Sequence, residues 1–266
     1  MKRSILVTFT VAAVCILLSQ VGCVFAQALQ IVNYLKDAAA TVDGKWTNAQ
    51  EWTDAMTAPG APSSLLFREG WTFPGDIIEY VLIEFYTDNT NDPGDFFQYC
   101  LDVGSNGGSA PQSDDILINY TGHSQLRLYK GNGTGWAPWT PPASAAVAAA
   151  NTMTGSQMYA PAHWIFELTM DRSDSNFDIS GQGYAQMLRV AAYDASNASQ
   201  GVVSWPPTST QNAPSTWGSE SGQYAAIQES PTILPVALIS FIAVAVSIYF
   251  FQRKPRNLNL SVSRTS

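Results

Sequence analysis

Ile77 to Tyr86, "IIEYVLIEFY", is apolar on both alternating faces, with Val81, Ile83 and Phe85 on one and Ile78, Tyr80, Leu82 and Tyr86 on the other. That pattern predicts a central strand covered on both sides. Phe96 to Val103 places Phe97, Tyr99, Leu101 and Val103 on one face. Asp115–Tyr120 and Ser124–Lys130 read as a hairpin closed by Thr121-Gly122-His123. Trp164, Phe166, Leu168 and Met170 alternate with Ile165, Glu167 and Thr169, and Tyr184–Tyr193 forms a last strand. Gly, Asn, Asp and Pro punctuate these runs at short intervals, so the fold class expected is all-β, an antiparallel jelly-roll-like sandwich. Ala143 to Ala150 has helix-favouring composition without a polar stripe and is expected as a short surface helix or loop. Trp46, Trp52 and Trp164 are assigned to the core.

The ends depart from this pattern. Lys2 and Arg3 precede an apolar run from Ile5 to Leu18, and Val24-Phe25-Ala26 offers small residues for a peptidase. Residues 1–26 are expected to be a secretory signal helix, cleaved after Ala26 or, as second choice, Ala28. An uncleaved anchor and a lipoprotein signal at Cys23 are the competing readings. Thr232 to Phe251 carries no charge and is followed by Arg253, Lys254 and Arg256. Its length suits one transmembrane helix with the tail, residues 252–266, in the cytoplasm. The expected organisation is a sandwich ectodomain over 27–205, a Ser/Thr/Pro/Gly-rich stalk over 206–231, and a single-pass anchor in the cell membrane.

Between these ends stand seven basic against 21 acidic residues, a formal charge of −14. Such a surface repels phosphate backbones and excludes nucleic acid as a partner. Cys15 and Cys23 leave with the signal, so Cys100 stands alone as a half-buried apolar residue or a free thiol, and no intrachain disulfide is expected. Asn119, Asn132 and Asn197 open Asn-x-Ser/Thr triplets, and Asn132 and Asn197 are the candidates for glycosylation.

The chemistry of an enzyme is missing from the sequence. His123 and His163 have no metal-binding spacing, and the chain has no Gly-x-Ser-x-Gly elbow, phosphate loop or dinucleotide fingerprint. Glu79 and Glu84 fall on opposite faces of one strand and cannot flank a single bond.

Two binding sites suggest themselves. "TDNTNDPGD" gathers Asp88, Asn89, Asn91, Asp92 and Asp95, enough hard oxygens for a structural calcium ion, with Asp114-Asp115 joining from the next strand. The same residues are also ordinary turn formers. "GNGTGWAPWTPP" holds Trp136 and Trp139 in a Gly/Pro-rich loop, where exposed rings would stack on sugar faces while Asn132 and Thr134 reach hydroxyls. Trp205 and Trp217 form a second pair of this kind. All four rings would otherwise cap the ends of the sandwich.

"TVDGKWTNAQEWTDA", Thr41 to Ala55, resembles the start of family 9 carbohydrate-binding modules and of their DOMON-type relatives. "HWIFELTMDRSD" and "YAQMLRVAAYDAS" are similar to the late strands of the same pattern, with Asp43, Trp52, Glu167 and Asp194 at its fixed points. The resemblance implies a sandwich that binds sugars through aromatic residues and usually holds a structural calcium. For DOMON relatives it implies haem between Met and His, here Met153, Met158, His123 and His163, a role these scattered residues suit poorly. The reading is a non-enzymatic extracellular carbohydrate-binding protein. The alternatives are a self-associating structural surface protein and, more distantly, a haem electron carrier.

Overall fold

The structure, a computed structural model, describes residues 29–72, 77–182 and 185–222. The expected signal, membrane helix and tail lie outside these residues. Among those described, no helix is long and apolar enough to cross a membrane.

The described chain is mostly β, as expected, with few helices. Its strands are β1 (Gln30–Leu35), β2 (Met56–Thr57), β3 (Leu65–Thr72), β4 (Ile78–Phe85), β5 (Phe96–Asp102), β6 (Asp115–Thr121) and β7 (Gln125–Gly131). β8 (Trp136–Pro138), β9 (Val147–Thr154), β10 (His163–Asp171), β11 (Ala185–Tyr193), β12 (Val203–Trp205) and β13 (Gly218–Gly222) follow. A single turn of α-helix, α1 (Gln50–Thr53), precedes β2.

The strands form one curled sheet in the order β8-β7-β6-β5-β11-β13-β1-β3-β4-β10-β9. β1 is the seam: it runs parallel to both β13 and β3, whereas the other pairs are antiparallel. Curling brings the two halves face to face. Phe67, Val81, Ile83, Phe85, Phe166 and Leu168 from one half meet Phe97, Tyr99, Leu101, Ile116, Leu188 and Val190 from the other in one buried cluster. Phe97 stacks on Phe166 across it, centroids 5.4 Å apart. Each such side chain contributes about 1.5–3 kcal/mol by leaving water.

β4 is apolar on both faces because a second cluster lies behind it. The segment before β2 lays Trp46, Trp52 and Ala55 against Leu82 and Ile165 on the outer face of the β3-β4-β10 half. Trp46, Trp52 and Trp164 are buried, as the sequence predicts. The hairpin between β6 and β7 is present, with Gly122 and His123 both at positive φ.

Two expectations fail here. Ala143–Ala150 is loop only in its first half: the second half belongs to β9, which pairs with β10 along its length. Pairing with a strong strand overrides alanine's helical preference. The same strand takes a close backbone approach from the segment before α1. A Cβ on Gly44, at φ +76°, would stand 2.5 Å from the Asn151 carbonyl carbon. Gly44→Ala is therefore expected to cost about 2 kcal/mol or more through backbone strain and contact together, read as a lower urea midpoint for the full-length chain.

The stalk, likewise, does not start at residue 206. Residues 206–217 fold back over β5, β6 and β11, and β13 fills the gap between β1 and β11. "GSESG" has little strand propensity of its own; neighbours on both sides make it a strand.

Candidate functional site

The outer face of the β8-β7-β6-β5-β11 half is built by strand alternation. Register places Cys100 opposite Leu117 and Arg189, and Leu117 opposite Tyr129. Trp217 is 2% exposed and closes over Cys100 and Leu117. Burial pushes the Cys100 thiol up to about 11, so it stays protonated and serves as apolar filling. Trp136, on the edge strand β8, lies parallel to Trp217, with 1° between the rings and 6.4 Å between centroids. Its Nε1 donates to Asn212 Oδ1 at 3.0 Å. Trp136 and Tyr129 thus form a half-buried aromatic ledge.

Polar groups run beside the ledge. Arg189 donates to Gln98 at 3.0 Å, and Gln98 donates to Gln211 at 3.2 Å. Asn119 sits opposite both Gln98 and Arg127, and its Oδ1 is buried without a hydrogen-bond partner. Arg127 is exposed and is held by Gln125 at 2.6 Å. Planar amides and a guanidinium next to an aromatic ledge suit a ligand with an apolar face and a rim of hydroxyls.

The aromatic residues singled out in the sequence therefore separate. Trp136 belongs to this face. Trp139 packs on the core side, edge-on to Phe177 at 6.1 Å and under the Lys130 ammonium at 4.7 Å. Trp205 is wholly buried against Phe67, its Nε1 donating to the Pro59 carbonyl. Trp205 and Trp217 are thus corrections: neither presents a ring to a ligand, because the segment expected as a stalk is folded over the sheet. Asn132 is exposed, but its Oδ1 is spent on Thr134 and Gly135 within its own turn. Asn197 is exposed as well.

The acidic loop gathers part of what the sequence predicts. Asp88 and Asp95 are buried, Asp92 is half-buried, and Asn89 and Asn91 are exposed outside the cluster. Two residues join that the sequence reading left out. Asp194 comes from the end of β11, where it caps a short 3-10 helix by accepting from Ser196 and Asn197. His123 comes from the β6–β7 turn, 2.9 Å from Asp95 and 3.7 Å from Asp88, with its ring stacked on Trp164. Asp92, Asp95 and Asp194 approach one another within 4.8 Å, as do Asp88, Asp95 and His123. Asp95 also accepts from the backbone of Asp92 and Ala195, so turn chemistry is part of its role. Asp92 Oδ2 is buried without a partner. Burial, with smaller contributions from neighbouring carboxylates, pushes Asp88 up to about 7. Asp114 and Asp115 do not reach this cluster; they meet Asp102 instead.

Glu79 and Glu84 do point to opposite faces. Glu79 lies in the core with Tyr99 and Arg172, while Glu84 accepts from Ser156 at 2.7 Å and meets His163 at 3.1 Å. Ser156 donates to the carboxylate rather than to the imidazole, so this trio lacks the hydroxyl–imidazole bond of a Ser-His-acid arrangement.

Three of the four fixed points of the sequence resemblance, Asp43, Trp52 and Glu167, meet in space, whereas Asp194 lies with the acidic loop. Glu167 is fully buried and accepts from Asp43 N and Gly44 N, both at 2.8 Å, and from Trp52 Nε1 at 2.9 Å.

In comparisons with solved structures, the chain is similar to a family 9 carbohydrate binding module from Caldicellulosiruptor kristjanssonii in complex with glucose. Identity is 12% over 73% of this chain and 95% of that one, with a TM-score of 0.45. It is also similar to such a module from the same organism in complex with cellotriose, at 13% identity over 73% of this chain and 93% of that one, with a TM-score of 0.44. No family model matches the chain, and no match was found among curated proteins.

Proposed function

We propose that the protein binds carbohydrate on the outer face of the β8-β7-β6-β5-β11 half and catalyses no reaction. The observation that carries this reading is the Trp136–Tyr129 ledge bordered by Asn119, Arg127, Gln98 and Gln211, with the Asn119 acceptor unpaired. The meeting of Asp43, Trp52 and Glu167 supports it, because these are positions of the sequence resemblance to family 9 modules. On this reading the curled sheet is a jelly-roll-like sandwich, and the terminal segments export it and hold it at the cell surface.

The test is affinity electrophoresis of the full-length protein in gels containing soluble cellulose derivative, xylan or mannan. Retardation in at least one gel is expected, weakened about tenfold by Trp136→Ala, the equivalent of about 1.4 kcal/mol of lost stacking. Retardation that survives Trp136→Ala, or none in any gel, would remove this site. Concentration-dependent self-assembly in place of retardation would favour the structural alternative.

Calcium belongs to the same reading, held in the acidic loop by Asp88, Asp92, Asp95 and Asp194. The buried, unpartnered Asp92 Oδ2 and the surplus of carboxylates fit a hard cation. There it would tie the β4–β5 loop to the end of β11. An ion that binds only the folded state raises the melting temperature. The full-length chain should melt higher in calcium than in EDTA, by a smaller margin in Asp92→Asn, and an equal margin would exclude this loop. Haem fits less well. Both ring nitrogens of His123 and of His163 already have partners, which axial ligation would displace.

A further inference from the structure

We infer that Asp102, Asp114 and Asp115 form a second divalent-cation site, separate from the acidic loop and independent of the sugar-binding reading. β5 ends on Asp102 and β6 starts on Asp115, and register places these two directly opposite one another. Like charges facing across a ladder are destabilising, and here both residues are 0% exposed. Asp114 adds a third carboxylate from the half-exposed side, which leaves an ion a way in.

One oxygen from each of the three lies within 4.8 Å of the others. Calcium takes carboxylate oxygens at roughly 2.3–2.6 Å, so side-chain shifts of a few tenths of an ångström at most bring all three onto one ion.

What points to a ligand is Asp115. Its Oδ2 accepts from Gln112 N at 2.6 Å, but its Oδ1 is buried beside the other two carboxylates and has no hydrogen-bond partner. Among the described residues no lysine, arginine or histidine forms an ion pair with any of the three. The loop after β5 closes over the group. Asn106 N and Gly107 N donate to Asp102, Asn106 Nδ2 donates to Asp114, and a Cβ on Gly104 would stand 2.0 Å from Asp114 Oδ2. A bound cation would pin this loop to the β5–β6 ladder and neutralise the facing pair.

Calorimetric titration of the EDTA-treated full-length chain with calcium chloride tests this. Asp114→Asn should bind one ion fewer per chain than wild type, while Asp92→Asn should keep the ion that Asp114→Asn loses. Unchanged stoichiometry in Asp114→Asn, or no calcium binding left in Asp92→Asn, would overturn the inference. If the acidic-loop site alone fails, Asp92→Asn matches wild type and Asp114→Asn binds nothing, so the two failures are distinguishable. Asp115→Asn guards against a folding artefact. It relieves repulsion and should therefore melt higher than wild type in EDTA and respond less to calcium. A lower melting temperature in EDTA would mean that the carboxylate is needed as a plain acceptor, and would overturn the site.

Discussion

Replacing Glu167 by alanine is expected to lower the melting temperature of the full-length protein by roughly 8–15 °C, with Glu167→Gln falling in between. One carboxylate on β10 holds three donors that arrive from a segment more than a hundred residues earlier: Asp43 N, Gly44 N and Trp52 Nε1. Truncation leaves them facing a wholly buried position. Each donor left unsatisfied costs about 1–3 kcal/mol, and a domain of this size loses about 2–4 °C per kcal/mol. The loss should spread beyond the site, because these bonds fasten the strip carrying Trp46 and Trp52 over Leu82 and Ile165. Without the strip, β4 and β10 would show apolar side chains to water on their second face. Glutamine keeps one acceptor oxygen but points an amide N–H₂ at a donor, hence its intermediate value. Scanning calorimetry reads the result, and a change under about 2 °C for the alanine variant would mean that the strip is held by packing alone.

Legibility in the sequence followed how local the cause was. β4, β5 and β10 were readable because their alternation or continuous apolarity states both that they are strands and what covers them. β9 and β13 were not: "VAAANTMT" becomes a strand only through pairing with its strong neighbour β10, and "GSESG" only through β11 and the chain-distant β1. The same distance hid half of each site. Asp88, Asp92 and Asp95 share one turn and could be grouped by spacing, whereas His123 comes from a hairpin and Asp194 from a strand end. His123 carried one signal, a place in a tight turn between two strands. Trp205 and Trp217 misled because a Pro/Ser/Thr-rich context suggests exposure, while here it supplies the bends that fold residues 206–217 back onto the sheet. The convergence on Glu167 was not legible, since no spacing rule joins Asp43, Trp52 and Glu167, and the family resemblance marked these positions without bringing them together.

A different buried cluster leads to the second large effect, a protein that is more stable near pH 5 than at pH 8. Glu69, Glu79 and Glu220 lie together in the core with Tyr99 between the first two. Arg172 supplies the positive charge, bonded to Glu79 at 2.5 Å and 3.7 Å from Glu220. One cation against three carboxylates leaves negative charge out of water, and burial pushes Glu220 up to about 7 from 4.5, with Glu69 raised as well. An acid whose folded pKa lies above its unfolded value is stabilising below the unfolded pKa, and that stability is lost as pH rises through the folded one. For Glu220 the window is from about pH 4.5 to about 7, and each unit corresponds to about 1.4 kcal/mol. The full shift would be worth on the order of 3 kcal/mol, or roughly 6–12 °C at this size. Arg172 and Tyr99 are shifted upward and do not titrate in this window. His123, lowered chiefly by burial, acts in the opposite sense and only below its ordinary value of 6.5, which limits the gain at the acid end. Melting curves of the full-length chain in EDTA should therefore rise as pH falls from 8 to about 5. Glu220→Gln, which keeps an acceptor for Asn33 and carries no charge, should melt higher than wild type at pH 8 and flatten the profile. A wild-type curve that falls on acidification over the same range, or a Glu220→Gln profile as steep as wild type, would mean that Arg172 and the surrounding amides already compensate Glu220 in its ionised form.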